Sequence, residues 1–92
     1  MSYKLSKKAK LDLVNIYVKG VELFGVNQAE KYFSEFEDAF LLLSNNPKVS
    51  RERTEIDPPI RVYPMGVHVI IYKVKKDKGV YIMRIRHGRE DW

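Results

Sequence analysis

Arg84-Ile85-Arg86-His87-Gly88-Arg89, near the end of the chain, concentrates cationic side chains in a short stretch. Together with His68, Arg61 and Tyr72 it contains the parts that phosphodiester cleavage of RNA requires. Those are a base for the 2′-hydroxyl, an acid for the leaving oxygen and cations for the phosphorane charge. The setting favours binding over catalysis. Residues 80–86 alternate like a strand, whose successive side chains point to opposite faces. Val80, Ile82, Arg84 and Arg86 then share one face, and Tyr81, Met83, Ile85 and His87 share the other. His87 points away from both arginines unless the strand has already ended. The second set is apolar and suits a core, while the first ends in cations offered to something anionic. His68 falls inside an apolar strand, where a partly buried, hydrogen-bonded histidine is the simplest reading. No phosphate-cradling glycine loop, nucleophile elbow or helical metal pair occurs. With no cysteine and no ligand spacing around the histidines, the expectation is no metal, no cofactor and no catalytic residue.

The 92 residues make one expected domain, able to bury a single core. At 45% hydrophobic and 32% charged, the composition is that of an ordinary globular protein. A net charge of +5 fits an anionic partner, either nucleic acid or an acidic protein, or simple solubility. The charge is uneven: residues 22–38 are net acidic and both ends are basic. The start has no apolar signal core, and no run approaches the ~18 apolar residues of a membrane span. A cytoplasmic protein is expected.

Tyr3, Lys4 and Leu5 form a short first strand, and Ser6 is placed to cap the helix behind it. Ala9, Leu13, Ile16, Tyr17, Gly20, Leu23 and Phe24 recur at three- and four-residue spacing, so a first amphipathic helix ends at Gly25. Asn27 and Glu30 have the spacing of a capping box for a second helix. Its stripe is Ala29, Tyr32, Phe33, Phe36, Ala39, Phe40 and Leu43, and Asn45-Asn46-Pro47 stops it. The short link makes the two helices an antiparallel hairpin. Residues 48–59 read as a loop, with an extended piece at Thr54, Glu55 and Ile56. Three meander strands follow: 60–63, then 67–74, apolar on both faces and so central, then 80–86 after a turn at 75–79. The order is β-α-α-β-β-β, an α+β fold with the helical hairpin covering one face of a small, mainly antiparallel sheet. Arg84 and Arg86 are expected on the other face.

The chain resembles the ParE branch of the RelE/ParE toxin superfamily over essentially its whole length. Leu5-Ser6, Ala9, Asp12-Leu13 and Ile16 carry the likeness in the first helix. Phe24-Gly25, Gln28-Ala29-Glu30 and Tyr32 carry it at the helix junction. Phe40, Leu43, Asn46-Pro47 and Arg53 follow, then Ile60-Arg61-Val62-Tyr63, Gly66, His68-Val69-Ile70 and Tyr72. Last comes Ile82 with Arg84-Ile85-Arg86-His87-Gly88-Arg89 and Asp91, the most specific run.

The resemblance implies the same β-α-α-β-β-β fold and a toxin of a bacterial type II toxin–antitoxin module, causing growth arrest. It implies neutralisation by a ParD-like ribbon-helix-helix antitoxin, whose C-terminal segment wraps the helical hairpin and sheet. Leu13, Tyr17, Tyr32, Phe36, Tyr63 and Tyr72 are the expected antitoxin contacts. It further implies a non-enzymatic inhibitor of DNA gyrase, touching DNA only through the antitoxin or the gyrase complex. Arg84, Arg86, His87, Arg89 and Trp92 are the expected gyrase-binding surface. The alternative is a RelE-like, ribosome-dependent mRNA endonuclease, for which Lys48, Arg51 and Arg53 would add a basic site. Against it, the late tyrosine common in RelE-like members has no counterpart after His87. A third reading is a scaffold that only co-represses transcription with its antitoxin. The chain ends at Trp92, where some ParE relatives continue into a tail associated with toxicity.

Overall fold

The computed structural model describes residues 2–89. Its elements are β1 (Tyr3–Leu5), α1 (Lys7–Phe24), α2 (Val26–Asn45), β2 (Glu52–Arg53), β3 (Ile60–Met65), β4 (His68–Val74) and β5 (Val80–His87). The expected order holds, with the two-residue β2 added. The five strands form one sheet in the order β1-β5-β4-β3-β2. β1 runs parallel to β5 and the other pairings are antiparallel. β4 is central, as its two apolar faces require.

Ser6 caps α1 as expected, its hydroxyl accepting the Ala9 N–H at 2.9 Å. The second cap is corrected. Gly25, not Asn27, ends α1 and begins α2, and no side chain caps that N-terminus. One residue must turn the chain between the helices, and Gly25 does so at φ +90, a backbone region glycine enters without a Cβ clash. Gly20 of α1 passes close enough to Ala29 that a Cβ there would stand 3.4 Å from the alanine methyl.

The hairpin covers one face of the sheet. Ala9, Leu13, Phe36, Phe40, Leu43, Ile70, Tyr72, Val80, Ile82 and Ile85 form the main core there. Each fully buried large apolar side chain contributes ~1.5–3 kcal/mol. Tyr72 is wholly buried, and its hydroxyl donates to the Pro47 carbonyl at 2.9 Å, tying β4 to the end of α2. The other face holds a second apolar cluster, Ile60, Val62, Val69 and Ile71, with Ile56 and Met83 against it. The extended piece expected at residues 54–56 is instead β2 at Glu52 and Arg53, paired with Arg61 and Ile60. The chain turns at Thr54 and Glu55 so that Ile56 can reach this second cluster. Pro64, expected in a turn, belongs to β3. It lies beyond the reach of β2, where its missing N–H costs no ladder bond.

The assignment of faces in β5 is also corrected. Tyr72 pairs with Ile82 but Ile71 pairs with Arg84, so Met83 is an extra residue in the strand. Such a bulge resets the alternation. Val80, Ile82 and Ile85 therefore all enter the main core, while Met83 turns to the second cluster. No described helix is long and apolar enough to cross a membrane.

Candidate functional site: an apolar groove and a basic pocket joined by two histidines

A groove of about 730 Å³ lies between the half of the hairpin nearest its tip and the sheet. Leu13, Ile16, Tyr17, Gly20 and Leu23 line it from α1, and Ala29, Tyr32, Phe33 and Phe36 from α2. Gly66, Val67, His68 and His87 close it from the sheet. Phe24 and Leu23 are 71% and 62% exposed at its rim, and Val67 is 61% exposed. Leu23 and Phe24 complete the stripe of α1 and Val67 lies in the turn between β3 and β4, and the described residues leave all three exposed. Apolar surface concentrated in this way marks an interaction site.

Four of the expected antitoxin contacts belong to this groove. Tyr17 and Tyr32 are half-buried on its walls, and Leu13 and Phe36 are buried in its floor. Tyr63 and Tyr72 do not line it. Tyr63, half-buried, packs against the main core, and Tyr72 lies wholly buried within it. A tyrosine in a central strand must bury its ring, and the Pro47 carbonyl satisfies the Tyr72 hydroxyl.

Tyr32 joins the helical and sheet walls of the groove. Its hydroxyl lies 2.8 Å from His68 Nδ1 and donates toward the Met65 carbonyl at 3.2 Å. Burial, the largest influence, raises its pKa above the ordinary phenol value, against nearby backbone groups of Val67 and His68 that favour the ionised form. Gly66 makes room for this contact: at φ +61, a Cβ there would stand 2.6 Å from the Tyr32 oxygen.

His68 faces His87 across β4 and β5, their ring centroids 5.6 Å apart. Beyond this pair lies a second pocket of about 280 Å³, bordered by Asp12, Asn15, Ile16, Arg84, Ile85 and Arg86 as well as both histidines. The two spaces share Asn15, Ile16, His68 and His87. His87 therefore borders the same pocket as Arg84 and Arg86, although the register still alternates here, with His87 on the side of Ile85 and Ile70 and the arginines on the side of Val69 and Ile71. Arg84 is not simply presented on the face opposite the helices. Its Nε and Nη2 donate to the two Asp12 carboxylate oxygens at 2.7 and 2.9 Å. Arg89 is exposed, and its backbone N–H donates to His87 Nδ1 at 3.2 Å. Trp92 lies outside the described residues.

The remaining cations are elsewhere. Arg61 donates to the Ser50 carbonyl at 2.6 Å and secures the segment after α2. Arg53 lies on β2 at the opposite edge of the sheet, three strands from β5, or roughly 14 Å at the usual strand spacing. Lys48 and Arg51, exposed in the segment leading to it, do not border the pocket either. Among the described residues there is no cluster of three or more metal-ligating His, Cys, Asp or Glu side chains.

Asp12 is the functional candidate that residue types alone do not reveal. It stands beside Leu13 in the first helix and looks there like any solvated acid. Its carboxylate bonds Arg84 and also accepts the Ile85 N–H at 3.0 Å. Burial alone would raise its pKa, but the Arg84 hydrogen bond, the Ile85 N–H and the charges of Arg84 and Arg86 together bring it below the ordinary value. The sequence shows only its place beside Leu13 on the flank of the apolar stripe.

A family model described as the ParE toxin of the type II toxin–antitoxin system parDE matches residues 3–92. Toxin ParE1 of Mycobacterium tuberculosis is 33% identical over 89 residues, covering 97% of this chain and 91% of that protein. Toxin ParE1 of Caulobacter vibrioides is 29% identical over 85 residues, covering 92% and 86%. A solved chain from the chromosomal ParDE system of P. aeruginosa superposes with a TM-score of 0.80 at 27% identity, covering 95% of each chain. The match along the chain, the degree of identity and the shared architecture agree: this protein belongs to the ParE toxin family of type II toxin–antitoxin systems.

Proposed function

We propose that this toxin acts by binding, not catalysis, that its target is DNA gyrase in the cytoplasm, and that a ParD-type antitoxin of the ribbon-helix-helix class neutralises it. The supporting observation is the meeting of Arg84, Arg86 and His87 in one pocket that continues into a large apolar groove. The groove suits the apolar side chains of an antitoxin segment, a common mode of peptide recognition. The cationic pocket suits an anionic surface of the gyrase–DNA complex. Contact with DNA then runs only through the antitoxin or through gyrase.

Gathering His68 and His87 beside two arginines also keeps the mRNA endonuclease as a second reading. Inducing the chain alone in bacteria separates the two, if trapped gyrase–DNA complexes and mRNA integrity are assayed in one culture. The expected result is trapped complexes with intact transcripts. Cut transcripts without trapping would overturn the proposal, and His87→Gln would then be the first substitution to make.

A further inference from the structure

Arg84 and Arg86 are two residues apart in β5, bordering one pocket, so their like charges oppose being held together. Asp12 of α1 offsets that repulsion. Its two oxygens grip Arg84 at Nε and Nη2, and the charges of both arginines act on it. The Arg84 and Asp12 side chains are 33% and 15% exposed, so water screens the grip in part. A two-pronged carboxylate–guanidinium match fixes the plane of the arginine as well as its position.

Asp12 has a second task, accepting the Ile85 N–H at the strand edge. That task needs one oxygen and no charge. A neutral amide oxygen would serve it equally. The carboxylate supplies more than the edge of the strand requires, and the surplus is directed at Arg84.

We propose that Asp12 is a positioning residue for the toxin's target contact, holding Arg84 in a fixed orientation and keeping Arg86 beside it next to His87. This rests on the reading that the arginine pair meets the target, but it does not require that target to be gyrase.

Asp12→Asn separates the two tasks, because it keeps an oxygen for Ile85 and removes the charge and the second prong. The full-length chain is induced at graded levels for growth arrest, and the purified chain is followed by NMR. In the Asn variant the Ile85 amide should stay protected from exchange, because its acceptor oxygen is kept, while the Arg84 Nη2–H signal, whose acceptor is the oxygen replaced, is lost to solvent. The expression needed for arrest should rise on the order of tenfold, the weight of a hydrogen bond to a charged group. Asp12→Glu should recover both the signal and the arrest. Arrest at the wild-type level in a folded Asn variant that has lost the Nη2–H signal would overturn the proposal. So would a Glu variant that regains the signal without the arrest, and this comparison stands even where the Asn variant does not fold. Wild-type arrest without trapped gyrase complexes would remove the gyrase reading alone and leave the Asp12 test intact.

Discussion

The two halves of β5 are built differently. Residues 80–82 have a strand on each side, β1 in parallel and β4 in antiparallel register, and Val80 and Ile82 are fully buried. Residues 84–87 keep β4 on one side only. On the other side β1 has ended, and α1 stands in for it. The Ser6 N–H bonds the Ile82 carbonyl at 2.9 Å, the Ser6 hydroxyl bonds the Met83 carbonyl at 2.7 Å, and Asp12 takes the Ile85 N–H. The Met83 bulge marks the change between the halves. Where backbone pairs with backbone, the side chains are free to make core. Where side chains must finish the edge, the strand is half-exposed and carries arginine and histidine.

The contrast predicts unequal costs of substitution. Ile82→Ala, in the first half, should cost ~2–5 kcal/mol, the range for emptying a buried aliphatic site. Urea unfolding would show it as a large fall in midpoint, and a near-wild-type midpoint would mean that the core does not run through this half. Ser6→Ala comes next, because it removes a helix cap worth ~1 kcal/mol together with the bond to Met83. A midpoint unchanged by that substitution would show that the edge does not need α1.

Replacing Arg84 and Arg86 together by alanine should disturb the fold less, by about 1 kcal/mol, since partly exposed ion pairs add little. Toxicity, in contrast, should be abolished. The assay is viability after induction, paired with urea unfolding of the purified variant. A double variant that is folded and fully toxic would remove function from the second half of β5.

These halves were not equally legible in the sequence. The helices and the central strand could be read because their residues repeat locally: the stripe around Phe36, the Ser6 cap, the apolar faces of residues 69–72. The order of β3, β4 and β5 follows from the meander, whereas the places of β1 beside β5 and of β2 beside β3 had no local sign. The bulge left no local sign, since Met83 is neither a glycine nor a turn residue, and its position depends on how β4 and β5 register over a distance. Reading through it placed Ile82 and Ile85 on opposite faces when both are core. The capping box at Asn27 failed for a related reason: Gly25 alone turns the chain and is itself the cap residue of α2, with no side chain to bond the first turn, while Asn27 already lies inside the helix. For the site, the cationic run was evident and the stripe residues Leu13, Tyr17, Tyr32 and Phe36 do line the groove. Asp12 was not evident as a partner, because the identity of a long-range ion pair is decided by the packing of α1 on β5.

Acid sharpens the comparison with the smallest effect. The folded pKa of Asp12 lies below its ordinary value of 3.8, so its ionised form stabilises the fold. That contribution is complete above the unfolded value and disappears as pH falls through the lower, folded one. The stability difference between the wild-type chain and Asp12→Asn should therefore be constant from neutral pH down to about 5 and shrink below it. Other carboxylates titrate in the same range, but they are common to both chains and cancel in the difference. Ile82→Ala supplies the contrast, because a lost methyl contact carries no proton and its cost should be the same at every pH at which the chain still folds. A difference for Asp12→Asn that stayed flat into strong acid would mean that the carboxylate, though bonded to Arg84 and Ile85, gives the second half of β5 no net electrostatic support.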